Sequence, residues 1–170
     1  ELGYTLATPS VWLRSVLGEE HFHRQPVPRI AVDMHHRVHQ PGAPAFHDTL
    51  RLFADTETVA FGGIDIPTLN ASNAMLLCTI SIAKALYNRE PSAAYLCDLY
   101  VGLMAAAPAT VNSFLLSAQS TGLGGHAALA LALMDSLFDH HSDARRAHQL
   151  AFAGLTEADL LRVILVQRDR

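Results

Sequence analysis

The chain has 170 residues, half of them hydrophobic and 16% charged, with a formal net charge of −4. That length is enough for one domain with a core, and the composition excludes intrinsic disorder for the chain as a whole. No Lys/Arg cluster exceeds two adjacent residues and no run of about 18 apolar residues occurs, so neither a nucleic-acid-binding stripe nor a membrane span is expected.

Residues 1–69 hold six of the twelve aromatics, six of the ten histidines and six of the eight prolines, and read as mixed strand and helix. Residues 70–170 are rich in Ala and Leu and read as helical. In chain order, the first clear element is His21-Phe22-His23-Arg24, followed by a proline-containing turn and the alternating run Arg29–His39. Period two puts Ile30, Val32, Met34, His36 and Val38 on one face, predicted to be largely core. It puts Arg29, Ala31, Asp33, His35, Arg37 and His39 on the other, polar face. The two runs are expected to pair as a hairpin. His21 and His23 then share a face with each other, with their placement relative to Asp33 left open.

Residues 47–54 suggest a short helix with Leu50 and Phe53 inward. Thr58–Leu69 suggests two strands bent at Gly62-Gly63. Asn70 is a helix cap for a helix to about Asn88, with Met75, Leu76, Ile80, Ala83 and Tyr87 inward. A second helix follows Pro91, with Tyr95, Leu96, Leu99 and Leu103 inward. A third spans about 110–119, a fourth about 125–139, and Thr156-Glu157-Ala158-Asp159 opens a last one in the manner of a capping box. The expected fold is α+β: one domain over 1–170, with a small mixed or antiparallel sheet at about 20–69 packed on a helical bundle at 70–170.

Several residues carry two readings. Asp33 is either an ion-pair partner of Arg37 or a metal ligand. The set His21, His23, Asp33 and His35 has the donor types that suit Zn²⁺, but helical HExxH and paired cysteines are absent, which ranks zinc low. Asp98 lies in the apolar run YLCDLY, where a buried carboxylate needs a partner. Cys78 and Cys97 lie in apolar runs and are expected to be small core residues of a reducing, cytoplasmic protein. His140-His141 reads as a solvated helix end. Gly122-Leu123-Gly124-Gly125 lacks the Lys-Ser/Thr of a phosphate loop and reads as a turn between helices. No secretory leader is legible at the start, and residue 1 is Glu rather than Met.

The order VDMHHRV, FGGIDIPTLNASNAMLL, IAKALY, YLCDLY resembles the uncharacterised nucleotidyltransferase family of the polymerase-β-like superfamily over about residues 20–135. The matching positions are Asp33 and His35, Gly63 and Leu69, Lys84, Leu96 and Asp98. The resemblance implies transfer of a nucleoside monophosphate from an NTP to a small-molecule or peptide hydroxyl. It makes Asp33 the catalytic and metal-binding acid, with Mg²⁺ as cofactor. His35 and Arg37, on the same strand face, are read as nucleotide phosphate contacts or as holding Asp33 in place, and Lys84 as a nucleotide phosphate contact or a solvent-facing residue. The family's Gly-Ser turn and Asp-x-Asp pair have no counterpart in residues 1–32, and Ser81 and Ala85 stand where the family often has histidines. A partner protein or an upstream segment is therefore expected to complete the site, and the chain by itself is expected to transfer little. The alternatives are a catalytically degraded relative that binds a ligand or partner, and an unrelated helical interaction module with a small sheet.

Overall fold

A computed structural model describes residues 3–7, 19–24, 30–35 and 52–138, together with Thr156 and Ala158. The chain divides into two compact units, residues 1–49 and 50–170.

In the first unit three short strands, β1 (Tyr4–Leu6), β2 (Glu19–Arg24) and β3 (Ile30–His35), form an antiparallel sheet with β2 in the centre. Tyr4 pairs with Arg24 and Leu6 with Phe22, while Glu19 pairs with His35, His21 with Asp33 and His23 with Ala31. The Thr5 hydroxyl donates to the His23 carbonyl at 3.3 Å, and the Ala7 amide to the His21 carbonyl at 2.8 Å, which extends the β1–β2 pairing. β1 is too short to carry a period and was not foreseen. The face expected to be core is open: Val32 is 40% and Met34 48% accessible. Among the described residues this unit has no helix to cover that face. Arg37, His36 and Val38 lie outside the described residues.

The described part of the second unit starts at Leu52, 1% accessible, followed by the hairpin β4 (Thr56–Phe61) and β5 (Ile64–Leu69). Phe61 faces Ile64 across a two-residue loop in which Gly62 and Gly63 have φ of 59° and 81°. Positive φ at both central positions is what a type I′ turn requires, and only glycine takes both without strain. Phe53, expected inward, is 55% accessible; its neighbour Leu52 fills that place. Residues 47–51 lie outside the described residues.

Four helices follow: α1 (Ala71–Tyr87), α2 (Ala93–Ala105), α3 (Pro108–Ser120) and α4 (Gly124–Phe138). Asn70 caps α1 as expected, its side chain accepting from the Asn73 amide at 2.9 Å. The Asn73 side chain donates in turn to the Leu52 carbonyl at 3.0 Å, tying the chain before the hairpin to the helix start. Proline opens α3 at a position whose N–H has no helical partner. Every described element after Asn70 with regular structure of more than one residue is a helix. Of the last helix expected from Thr156, only Thr156 and Ala158 are described, and Ala158 is helical.

α1 and α4 each pack against the other three helices. α1 buries Met75, Leu76, Thr79, Ile80, Ile82 and Ala85. Thr79 is tolerated there because its hydroxyl donates to the Met75 carbonyl at 3.1 Å. α4 buries a run from Ala130 to Asp135, so small alanines let it sit deep among its neighbours. Leu96 and Leu99 of α2, Phe114 of α3 and Leu123 complete the core. Gly102 of α2 faces Met75, where an added Cβ would stand 3.2 Å from Met75 Cγ. Tyr100 and Phe138 stack at 4.4 Å between ring centres, joining α2 to the end of α4.

The helix connections are short: five residues (Asn88–Ser92), two (Ala106–Ala107) and three (Thr121–Leu123). Two of them use the same closure. After α1, the Arg89 amide donates to the Leu86 carbonyl at 3.1 Å and Glu90 to Ala85 at 2.7 Å. After α3, Gly122 donates to Gln119 at 3.2 Å and Leu123 to Ala118 at 2.8 Å. This is the Schellman pattern, with a left-handed residue after the cap. Gly122 takes φ of 78° at little cost, whereas Arg89 takes 58° against its Cβ. The glycine cluster is thus a turn between helices, and no described helix is long and apolar enough to cross a membrane.

Candidate functional site

The β2–β3 register decides which side chains meet. Residues directly opposite in an antiparallel pair share a face, and that face alternates along each strand. Glu19, His21 and His23 of β2 therefore share one face with His35, Asp33 and Ala31 of β3. The sheet accordingly joins the two histidines to the face of Asp33. The five residues between the strands left this open, because turn geometry sets the register and two prolines interrupt the turn.

His21 Nδ1 lies 2.6 Å from Asp33 Oδ1. An ionised carboxylate only accepts, so in this contact His21 Nδ1 is the donor. Both side chains reach solvent, Asp33 at 54% and His21 at 40%. Asp33 is thus placed as the alternation predicted, on an exposed polar face. Two positions along β2, His23 Nδ1 is enclosed and has no hydrogen-bond partner. His35 occupies the next rung of the same face, opposite Glu19.

The other sequence-derived candidates belong to the second unit. Lys84 is half-buried in the last turn of α1, where a cation complements the helix dipole. Asp98 is exposed on α2, contrary to the buried position that its apolar run suggested; helical phase turns it away from Leu96 and Leu99. The Cys78 thiol is pushed up by burial and, secondarily, by the Asp98 carboxylate. Cys97, expected in the core, is exposed, and Cys78 is half-buried.

A Mg²⁺ pair of the kind used in nucleotidyl transfer takes hard oxygen ligands from several shared carboxylates. Asp33, an exposed carboxylate on that face, is already hydrogen-bonded to His21. Among the described residues no group of three or more His, Cys, Asp or Glu side chains stands ready around one ion. These residues do not fit a free-standing Mg²⁺ pair, and no chemical step here is routed through one. What the arrangement can do is hold a proton: the Asp33 carboxylate fixes the His21 tautomer and stabilises the ring when Nε2 takes a proton.

No curated protein and no solved structure matches the chain. The profile of the family described as uncharacterised nucleotidyltransferase matches residues 1–139, most of the sequence and all of the sheet that carries Asp33. The chain belongs to that uncharacterised nucleotidyltransferase family.

Proposed function

We propose that the protein takes part in transfer of a nucleoside monophosphate from an NTP to a hydroxyl of a small molecule or peptide, with Asp33 at the reacting centre. The observation that supports this most is the pairing of the family-matched Asp33 with His21 on an exposed polar face. In this reading the acceptor hydroxyl gives up its proton toward the Asp33–His21 pair as its oxygen attacks the α-phosphorus. Pyrophosphate leaves in line. The nucleotide would enter as its Mg²⁺ complex, whose ion keeps several waters beside the phosphate oxygens, and Asp33 would be the carboxylate that meets it. His35 and Arg37, which follow Asp33 at period two, and Lys84 are assigned to phosphate contacts.

The test is to incubate the purified chain with labelled ATP, GTP, CTP and UTP, Mg²⁺ and a panel of hydroxyl and peptide acceptors. With a single family-matched carboxylate, transfer is expected to be weak. Whatever transfer occurs falls by about 100-fold or more in Asp33→Asn, while Lys84→Met weakens nucleotide binding. Robust transfer that survives Asp33→Asn overturns the assignment. Nucleotide binding with no transfer under any condition turns the reading toward a nucleotide-binding relative.

A further inference from the structure

Asp33 lies on an edge strand. In the order β1-β2-β3, β3 is outermost, and among the described residues no strand pairs with its far side. The direction of the β1–β2 bonds fixes what that edge presents. The Ala7 amide donates to the His21 carbonyl, so at His21 the backbone of β2 is turned toward β1. In antiparallel pairing the N–H and C=O of one residue lie on the same side of its strand, and the side alternates from residue to residue. His21 and Asp33 therefore stand opposite each other without exchanging backbone hydrogen bonds, and the ladder between β2 and β3 runs through Ile30, Val32 and Met34. The N–H and C=O of Ala31, Asp33 and His35 point to the outer edge.

We infer that the acceptor is a polypeptide, bound as an extended strand along the outer edge of β3 with its serine or threonine directly opposite Asp33. The inference rests on the transfer reading above and names the class of its hydroxyl. An edge strand is a template for another strand, and main-chain pairing of this kind binds extended peptides. Because the backbone groups of Asp33 point outward, the residue opposite it on an antiparallel peptide forms a hydrogen-bonded pair, with Cα atoms about 5.5 Å apart and side chains on one face. A short hydroxyl side chain there lies beside the carboxylate that His21 contacts at 2.6 Å. The row across the sheet becomes His21, Asp33, acceptor. A small-molecule acceptor would use none of the backbone groups on that edge. The other face adds a preference: Val32 and Met34 are exposed there, and the residues on either side of the acceptor fall opposite them, so apolar neighbours cover both.

In the transfer, the serine O–H bond breaks toward the Asp33–His21 pair and the oxygen bonds to the α-phosphorus. The bond from that phosphorus to the pyrophosphate oxygen breaks. The products are pyrophosphate and a peptide carrying the nucleoside monophosphate as a phosphodiester, and the pair returns its proton to solvent.

The experiment uses the full chain and a fluorescent nonapeptide with one central serine between two valines, its other positions lysine and glutamine. Anisotropy reads binding. Labelled ATP, GTP, CTP and UTP with Mg²⁺ read transfer, with glycerol as the small acceptor. Methylating the backbone nitrogen two residues after the serine, opposite Ala31, removes a donor aimed at β3 and is expected to weaken binding at least about tenfold. The same change three residues after the serine points away from β3, removes no such bond, and leaves binding within about twofold. Ala31→Pro closes the edge and spares the ladder to β2, so it is expected to abolish peptide binding with unchanged circular dichroism. Label is expected on the serine peptide and not on its alanine counterpart. Affinity indifferent to the two methyl positions, or retained in Ala31→Pro, overturns the inference. Label on glycerol and none on the peptide also overturns it, and leaves nucleotidyl transfer standing. The methyl pattern in binding with no transfer to any acceptor overturns the transfer reading and the acceptor role with it, while the strand site stands. A peptide-free dimer that Ala31→Pro dissociates gives the edge to a second copy and overturns the inference.

Discussion

Two single side chains have chemistry set by where they are buried. His126 sits in the first turn of α4, half-buried, with Nδ1 enclosed and without a hydrogen-bond partner. Burial pushes its imidazole below the ordinary histidine value. The positive end of the helix dipole works in the same direction. Above the ordinary value near 6.5 the ring is neutral in both folded and unfolded chains and contributes no pH dependence. As pH falls below that value, the unfolded chain takes up the proton first, so stability declines. Urea unfolding at pH 7.5 and 5.5 is expected to show a larger drop for the wild type than for His126→Gln. The thiols divide in the same manner. Cys97 is exposed and alkylates first, whereas Cys78 is protected by burial and by Asp98. Asp98→Asn should bring the Cys78 thiol down and speed its alkylation at pH 8, read by mass spectrometry, with Cys97 unaffected.

The helix ends yield paired predictions of opposite sign. Arg89 and Gly122 occupy equivalent left-handed positions in two Schellman closures. Arg89→Gly is expected to raise stability by about 0.5–1 kcal/mol, the relief of Cβ strain less the added entropy of the unfolded chain. Gly122→Ala is expected to lower it by about 1 kcal/mol, although nothing crowds that position. Asn70→Ala removes the α1 cap and costs about 1 kcal/mol; chemical denaturation measures all three. Two of these ends were legible because they depend on local chemistry: Asn70 before an apolar period, and the glycine cluster at Gly122 between two helices. Positions set by tertiary packing were less so. Tyr87 and Tyr95 fit the inward phase of their helices yet are 72% and 41% accessible, while Thr79 and Ile82, off that reading, are buried. Period alone does not say how wide the covered arc is, and α1 is covered by three neighbours. The polar face of β3 could be read from alternation. The partner of Asp33 could not, because it depends on the register across the turn.

Across the molecule, the α+β reading holds, and the helices lie where the change of period near Asn70 put them. The β4–β5 hairpin falls in the same compact unit as the helices. Within that unit, α1 packs against all three other helices, and Gly102 of α2 faces its Met75. Gly102→Leu would force a side chain into the space of Met75, itself 2% accessible. A loss of about 1–3 kcal/mol is expected, with cooperative thermal unfolding retained at a lower midpoint. The open ladder of the hairpin is different. Phe61 and Ile64 are 74% and 67% accessible, so polar replacement there should leave stability nearly unchanged while improving solubility.

The brevity of the helix connections also bears on time. When two, three or five residues separate successive helices, the chain closes small loops to bring their faces together. Topologies of that kind have low contact order and reach the native arrangement in microseconds to milliseconds. β1 and β2 instead meet through residues as far apart as Tyr4 and Arg24, a longer closure for a three-residue strand. Refolding followed by far-ultraviolet signal should therefore gain most of its helicity within the dead time of mixing. β1 would join later, although it is synthesised before the helices.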